Sequence, residues 1–292
     1  MKEIRGVITA MVTPFDRNGR VDLDAGRRLA AYLVSHGSHG IVISGSTGES
    51  ATITDPEAFE LMAVVREEVG EETLLAFGTG TNDTRHSVEL TKSAVENGAD
   101  AALVVTPYYN KPNPAGILAH FEAVAEAAGD LPIIAYNIPS RVVVNMPPSL
   151  LAELAQIDNV VAVKQANNDE LQPIEGLDIL AGNDEIFLKT LEIGGAGGIC
   201  VASHLVGPQM REVWDAAQAG DLERAHDIDS GLHEVYAAMG VTTNPIPLKA
   251  ALEMTGLIPS GTLRLPLVPV NAEQRATVRA ALESVGLTAV TP

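Results

Sequence analysis

Short apolar runs, mostly of β-branched residues, alternate with helix-like segments along the first 220 residues. Eight such runs occur, and none alternates apolar with polar positions. Continuous apolarity is typical of parallel strands that are covered on both faces. The predicted strands are residues 6–11, 40–43, 73–77, 101–105, 132–135, 160–163, 178–180 and 198–201.

The segments between these runs have the periodicity and the end signals of helices. Thr54 precedes Pro56, and Glu57 stands three positions after the threonine, which is the pattern of a capping box. Glycines at 37, 70, 98, 129 and 220 stand where helices should end. The predicted helices are residues 22–35, 56–69, 83–97, 114–128, 148–156, 185–193 and 208–219.

Eight β-then-α units favour a closed (β/α)8 TIM barrel, an α/β fold, over an open doubly wound sheet. Beyond about Gly220 the strand runs vanish, and helical patterns remain at 222–239, 247–255 and 272–285. We therefore predict a barrel catalytic domain over residues 1–222 and a C-terminal helical domain over residues 223–292, packed on the barrel.

Composition excludes several classes of protein. The 292 residues are 46% hydrophobic, which is enough for a sizeable core, and 19 basic against 38 acidic residues give a net charge of −19. Such a charge disfavours nucleic-acid and membrane-surface partners. The single Cys200 cannot form an intrachain disulfide, and no signal peptide or spanning segment is evident, so we expect a cytoplasmic protein.

Polar segments follow several predicted strands. In a barrel, the loops at the carboxyl ends of the strands carry the active-site residues. Residues 45–50 follow the second strand, 106–112 the fourth and 136–141 the fifth, while Lys164 directly follows the sixth. The tyrosines at 108 and 109 could equally be a pair of packed aromatic side chains.

Lys164 is the sharpest candidate because it ends an apolar strand. Burial favours the neutral amine, which can attack a carbonyl carbon and form a Schiff base. The alternative is a lysine that extends from the rim of the sheet into solvent. Position alone leaves both interpretations open.

The neighbouring loops offer proton carriers and anion-binding groups. Tyr136 ends the strand next to Lys164, so its hydroxyl could exchange protons with the amine. Thr47 lies between glycines whose backbone N–H groups suit a carboxylate, although residues 46–49 also fit a simple capping box. Arg141 is either a grip for a second carboxylate or an ordinary surface arginine.

Metal, nucleotide and serine-hydrolase chemistry is disfavoured. The seven histidines form no H-E-x-x-H pair, and no phosphate-binding loop or G-x-S-x-G turn occurs. We therefore predict no metal.

Seven motifs in order resemble the dihydrodipicolinate synthases, a family of the pyruvate-dependent class I aldolases that also include N-acetylneuraminate lyase. The resemblance covers nearly the whole chain and implies a (β/α)8 barrel with a helical C-terminal domain. The motifs are GSTGES at 45–50, VTPYYN at 105–110, YNIPSR at 136–141, VK at 163–164, AGND at 181–184, NPIPLK at 244–249 and LRLPL at 263–267.

The resemblance implies a role for each matching residue. Lys164 would form an imine with pyruvate, and Tyr136, Thr47 and Tyr109 would relay protons, with Tyr109 reaching into a neighbouring subunit. No cofactor is implied beyond the covalent Schiff base with the substrate. The implied assembly is a homotetramer built from dimers.

The resemblance also implies how the substrates are bound. The backbone around Ser46 and Thr47 would hold the carboxylate of pyruvate, and Arg141 would bind that of aspartate β-semialdehyde. Backbone carbonyls of Gly182 and Ile199 would line the pocket.

The sequence leaves three possible functions for the chain. Arg141 favours a synthase for lysine and diaminopimelate biosynthesis, because a guanidinium suits a compact carboxylate better than a polyhydroxylated sugar. The alternatives are a Schiff-base lyase for a sugar acid, of the sialic acid or 2-keto-3-deoxy-gluconate type, and a non-catalytic barrel that binds a keto acid.

Overall fold

A closed barrel of eight parallel strands forms the core of the fold. The computed structural model describes residues 2–288, and the strands pair in chain order, with β8 returning to β1. This confirms the predicted fold. The strands are β1 Gly6–Ala10, β2 Gly40–Ile43, β3 Leu74–Gly78, β4 Ala101–Val105, β5 Ile133–Asn137, β6 Val160–Gln165, β7 Asp178–Ala181 and β8 Gly197–Cys200.

Helices surround the barrel and follow most of the predicted segments. The capping box at Thr54 is formed, and glycines 37, 70, 98, 129 and 220 all have positive φ. The first eight helices are α1 Leu23–Ser35, α2 Asp55–Val69, α3 Thr84–Glu96, α4 Pro114–Ala128, α5 Pro139–Val142, α6 Pro148–Leu154, α7 Phe187–Glu192 and α8 Ser203–Gln218.

Three of these helices differ from the sequence prediction. The short α5 was not predicted because four residues are too few to show a helical period. A 3-10 turn, Asp184–Ile186, precedes α7. Helix α8 begins five residues before Pro208, since the chain bends at Val206, which has non-helical φ and ψ, and the proline starts the second segment.

The C-terminal region is helical and shares a core with the barrel. Its helices are α9 Leu222–Ser230, α10 His233–Met239, α11 Ile246–Met254 and α12 Ala272–Ser284. The prediction of one helix over 222–239 was wrong, because the chain breaks at Gly231 and Leu232. Leu248 and Leu282 join one buried cluster with barrel-side residues such as Phe77. The division into two domains at residue 222 stays a prediction.

Small residues close the barrel. Gly197 pairs with Gly6 where β8 meets β1. A Cβ built on Gly197 would lie 2.1 Å from the carbonyl oxygen of Gly6, so only glycine permits this approach. Inside the barrel the strands contribute a separate core that includes Ile8, Leu180 and Ile199.

Candidate active site

A cavity of about 330 Å³ opens at the carboxyl ends of the barrel strands. This is the edge at which barrels of this type carry function. The cavity collects residues from five loops and from the C-terminal region. Its wall includes Ser46, Thr47, Tyr136, Arg141, Lys164, Gly182, Asp184 and Asn244.

Lys164 and Tyr136 lie side by side in this cavity. They are paired positions on β6 and β5, and their side chains are 5% and 6% exposed. The Lys164 Nζ atom lies 4.3 Å from the centroid of the Tyr136 ring. The interpretation of Lys164 as a rim lysine in solvent is therefore wrong, because the amine is enclosed and faces an aromatic side chain.

The segment after β2 forms successive turns around Thr47. The Glu49 N–H donates to the Ser46 carbonyl over 3.1 Å, and the Ser50 N–H donates to the Gly45 carbonyl over 3.2 Å. Glu49 has φ +56, a left-handed conformation that is costly for a residue with a side chain. No helix begins here, so the capping-box interpretation of residues 46–49 is wrong.

The Glu49 carboxylate is instead bound by the C-terminal region. Its Oε1 atom lies 2.5 Å from Lys249 Nζ, and both side chains are almost fully buried. Its Oε2 atom accepts from the Arg264 N–H over 3.0 Å. Burial lowers the pKa of Lys249 to about 8, although the attraction of Glu49 opposes this shift. In the sequence these residues stand out only as parts of motifs, and their pairing was not predicted.

Asn244 links two of the predicted site residues. Its Nδ2 atom donates to the Thr47 hydroxyl over 2.9 Å, and its main-chain carbonyl accepts from Arg141 Nη2 over 2.9 Å. Arg141 is exposed at the cavity mouth on α5. Nothing in the sequence pattern ties Asn244 to Thr47, because 197 positions separate them.

A buried carboxylate, that of Asp184, lies in the 3-10 turn after β7 and lines the same cavity as Lys164. It accepts hydrogen bonds from the backbone N–H groups of Val201 and Ala202, over 2.8 and 3.1 Å. Desolvation raises the pKa of Asp184 to about 6, against these hydrogen bonds and the charge of Lys164. This residue was also missed, since one acidic side chain in a loop has no distinctive pattern.

Two predicted residues lie outside this cavity. Tyr109 is 87% exposed with φ +73, and it lines an adjoining cavity of about 690 Å³ that Arg141 also borders. It is therefore not part of a packed aromatic pair within the chain. Ile199 is fully buried inside the barrel and is absent from the described cavity wall, because its side chain joins the barrel interior.

The described residues contain no helix that is both long and apolar enough to cross a membrane. Between residues 2 and 288, no three or more histidine, cysteine, aspartate or glutamate side chains are grouped closely enough to hold a metal ion.

Known proteins match the chain over nearly its whole length. The model of the dihydrodipicolinate synthetase family matches residues 3–285. A 4-hydroxy-tetrahydrodipicolinate synthase of Moorella thermoacetica is 44% identical, over 96% of this chain and 98% of that protein.

Solved structures agree with the sequence matches. The dihydrodipicolinate synthase of Aquifex aeolicus is 36% identical with a TM-score of 0.94, over 99% of this chain and 100% of that one. The lysine-bound enzyme of Cyanidioschyzon merolae is 39% identical with a TM-score of 0.93, over 97% and 98% of the two chains. The chain therefore belongs to the dihydrodipicolinate synthetase family.

Proposed function

We infer that the chain is a 4-hydroxy-tetrahydrodipicolinate synthase, which condenses pyruvate with aspartate β-semialdehyde. It is a lyase of the Schiff-base aldolase type and serves lysine and diaminopimelate biosynthesis. The observation that carries this function is the enclosed amine of Lys164 beside Tyr136, on the wall of a cavity that also contains Arg141. The named relatives support the same activity.

The proposed reaction begins at Lys164. Its neutral amine adds to the C2 carbonyl of pyruvate, and loss of water gives a protonated imine. The positive nitrogen withdraws electrons from the methyl group, so a methyl proton is lost and an enamine forms. The enamine carbon then attacks the aldehyde carbon of the second substrate, which makes the new carbon–carbon bond.

Ring closure completes the proposed cycle. The amino group of the second substrate attacks the imine carbon and expels the Lys164 amine, which frees the enzyme. No cofactor takes part in this scheme, because the imine itself provides the electron sink. Tyr136 and Thr47 carry the protons that these steps exchange, together with Tyr109, which would reach in from a neighbouring subunit.

The two substrate carboxylates have separate partners in this proposal. Backbone N–H groups around Ser46 and Thr47 bind the carboxylate of pyruvate, while Arg141 at the mouth binds that of the aldehyde. Gly182 contributes a backbone carbonyl to the cavity wall. Ile199 is proposed to contribute its backbone carbonyl as well, since its side chain lies in the barrel interior. A sugar-acid lyase is disfavoured because its substrate would need hydroxyl and amide partners at the position of Arg141.

Borohydride trapping tests the covalent step. Incubation with pyruvate and borohydride should leave a reduced three-carbon adduct on Lys164, detected by peptide mass spectrometry, and Lys164→Ala should abolish it. An absent adduct in the unmodified protein would favour a non-catalytic barrel that binds a keto acid. Coupled assays with aspartate β-semialdehyde, sialic acid and 2-keto-3-deoxy-gluconate then separate synthase from lyase.

A homotetramer built from dimers is also part of the proposal. Tyr109 projects from the surface, with Val143 66% exposed and Leu265 77% exposed elsewhere on the chain. Large apolar side chains in solvent favour association. Light scattering coupled to size-exclusion chromatography measures the assembly, and a Tyr109→Phe variant should keep the mass while losing turnover.

A further inference from the structure

We infer that Asn244 is a positioning residue of the active site: its side-chain amide orients the Thr47 hydroxyl so that the hydroxyl hydrogen is free to enter the proton relay. The inference rests on the proposed function, in which Thr47 transfers protons. It gives a residue of the C-terminal region a defined role in a site whose proposed catalytic residues all come from barrel strands and loops.

The direction of one hydrogen bond carries the argument. Asn244 Nδ2 donates to Thr47 Oγ1 over 2.9 Å, so the hydroxyl acts as the acceptor. A hydroxyl has one hydrogen and two lone pairs, and this bond occupies a lone pair only. The hydrogen of Thr47 is therefore directed away from Asn244. Thr47 is 3% exposed, so bulk water has little access to disturb this arrangement.

The main chain of Asn244 makes a second, separable contact. Its carbonyl accepts from Arg141 Nη2 over 2.9 Å, so the same residue touches the proposed relay and the proposed carboxylate grip. A side-chain substitution removes the first contact and retains the carbonyl that makes the second. Variants of Asn244 can therefore test its effect on Thr47 with limited disturbance of Arg141.

The other atom of the amide supports a functional role. Asn244 Oδ1 is buried and has no hydrogen-bond partner among the described residues. An unpaired buried acceptor destabilises the folded state, so a purely structural asparagine would be expected to satisfy both ends. Asn244 lies in the cavity wall, beside residues that bind substrate in the proposed function.

The flanking helices hold Asn244 in place. Helix α10 ends at Met239 and α11 begins at Ile246, and these two residues are 5% and 9% exposed. The connecting segment is therefore fixed at both ends by packing. A residue on such a segment can hold a partner with the accuracy that proton transfer requires.

The decisive variant is Asn244→Asp, which keeps the size of the side chain and removes its donor. An ionised carboxylate accepts only, so the Thr47 hydrogen must turn towards it and leave the relay. We expect kcat to fall about a hundredfold, within the range for a lost proton carrier, while KM for pyruvate changes less than about threefold. Lowering the pH should restore part of this loss relative to the unmodified enzyme, because a protonated carboxyl can donate again.

Thr242→Asp is the matched control, because Thr242 also lines the cavity and has no hydrogen bond to Thr47 among the described contacts. It measures the cost of one added negative charge. If Asn244→Asp has the same kcat as Thr242→Asp, with the same pH profile, the inference is overturned.

A double-mutant cycle tests whether Asn244 acts through Thr47. Asn244→Ala should lower kcat about tenfold in the unmodified enzyme, the effect of one lost hydrogen bond, and should have no further effect once Thr47→Val has removed the hydroxyl. An equal loss in both backgrounds would overturn the inference. A Thr47→Val variant with full kcat would overturn the relay itself, whereas the borohydride adduct on Lys164 reports on the covalent step independently.

Discussion

At the scale of the residue, the charged side chains of the site differ in which neighbouring groups they contact. The amine of Lys164 is enclosed against the Tyr136 ring, while the buried Asp184 carboxylate accepts two backbone hydrogen bonds. Arg141 differs from both, since it is exposed and its guanidinium makes one hydrogen bond within residues 2–288, to the Asn244 carbonyl. The guanidinium thus retains donors for a ligand.

Arg141→Ala should selectively weaken use of the aldehyde substrate. Loss of a charged hydrogen-bonding partner costs about 2 kcal/mol, which corresponds to roughly a thirtyfold lower kcat/KM, expressed mainly as a higher KM for the aldehyde. The kcat/KM of Arg141→Lys should lie between those of the unmodified enzyme and Arg141→Ala, because lysine keeps the positive charge and lacks the planar guanidinium. Steady-state kinetics with each substrate varied in turn measures this effect. Unchanged kinetics would return Arg141 to the class of ordinary surface arginines.

At the scale of the element, the loop after β2 depends on helices that are far away in the chain. Lys249 on α11 compensates the buried Glu49, and the Lys249 Nζ atom also lies 3.9 Å from the centroid of the Phe15 ring and donates to the Thr262 carbonyl over 3.0 Å. A buried ion pair of this kind contributes little net stability compared with apolar packing, but breaking it is costly. Its effect here is to fix the loop that carries Thr47.

Lys249→Met should destabilise the fold by about 3–5 kcal/mol, because it leaves the Glu49 carboxylate buried without a counter-charge. The double variant with Glu49→Gln should recover most of that loss, since it removes the charge and keeps an acceptor for the Arg264 N–H. Urea unfolding of the single and double variants gives the coupling free energy. Additive losses would show that the two side chains do not interact.

At the scale of the whole molecule, sequence periodicity predicted the barrel, whereas contacts between distant segments could not be predicted. All eight strands were found because parallel strands are apolar throughout, and the polar residues after them marked the cavity. That rule placed Lys164 and Tyr136 at this edge of the barrel, whereas their catalytic roles were implied by the family resemblance. The roles of Asn244, Lys249 and Asp184 depend on which loops the fold brings together. Local sequence patterns do not show which distant segments will be in contact.

The folded chain should lose stability below neutral pH through its buried histidines. Desolvation lowers the pKa values of His120 and His204 from 6.5 to about 4. Between these values the unfolded chain binds more protons than the folded one, so the free energy of unfolding falls as the pH drops from 6.5 to 4. Asp184 acts in the opposite direction, because its raised pKa favours proton uptake by the folded state.

The free energy of unfolding obtained from urea titrations should therefore decrease between pH 7.5 and 4.5, by on the order of a few kcal/mol in total. His120→Gln should flatten the curve, because it removes one of the buried titrating side chains. The same pH dependence in His120→Gln and in the unmodified protein would contradict the assignment of His120 as a buried neutral side chain.

The attachment of the 45–50 loop to the C-terminal region has a consequence during protein synthesis. The barrel strands end at Cys200, so all eight are synthesised before Asn244, Lys249 and Arg264. Until those three residues are made, Glu49 lacks its counter-ion and Thr47 its amide donor. The complete site therefore requires synthesis to proceed at least through Arg264.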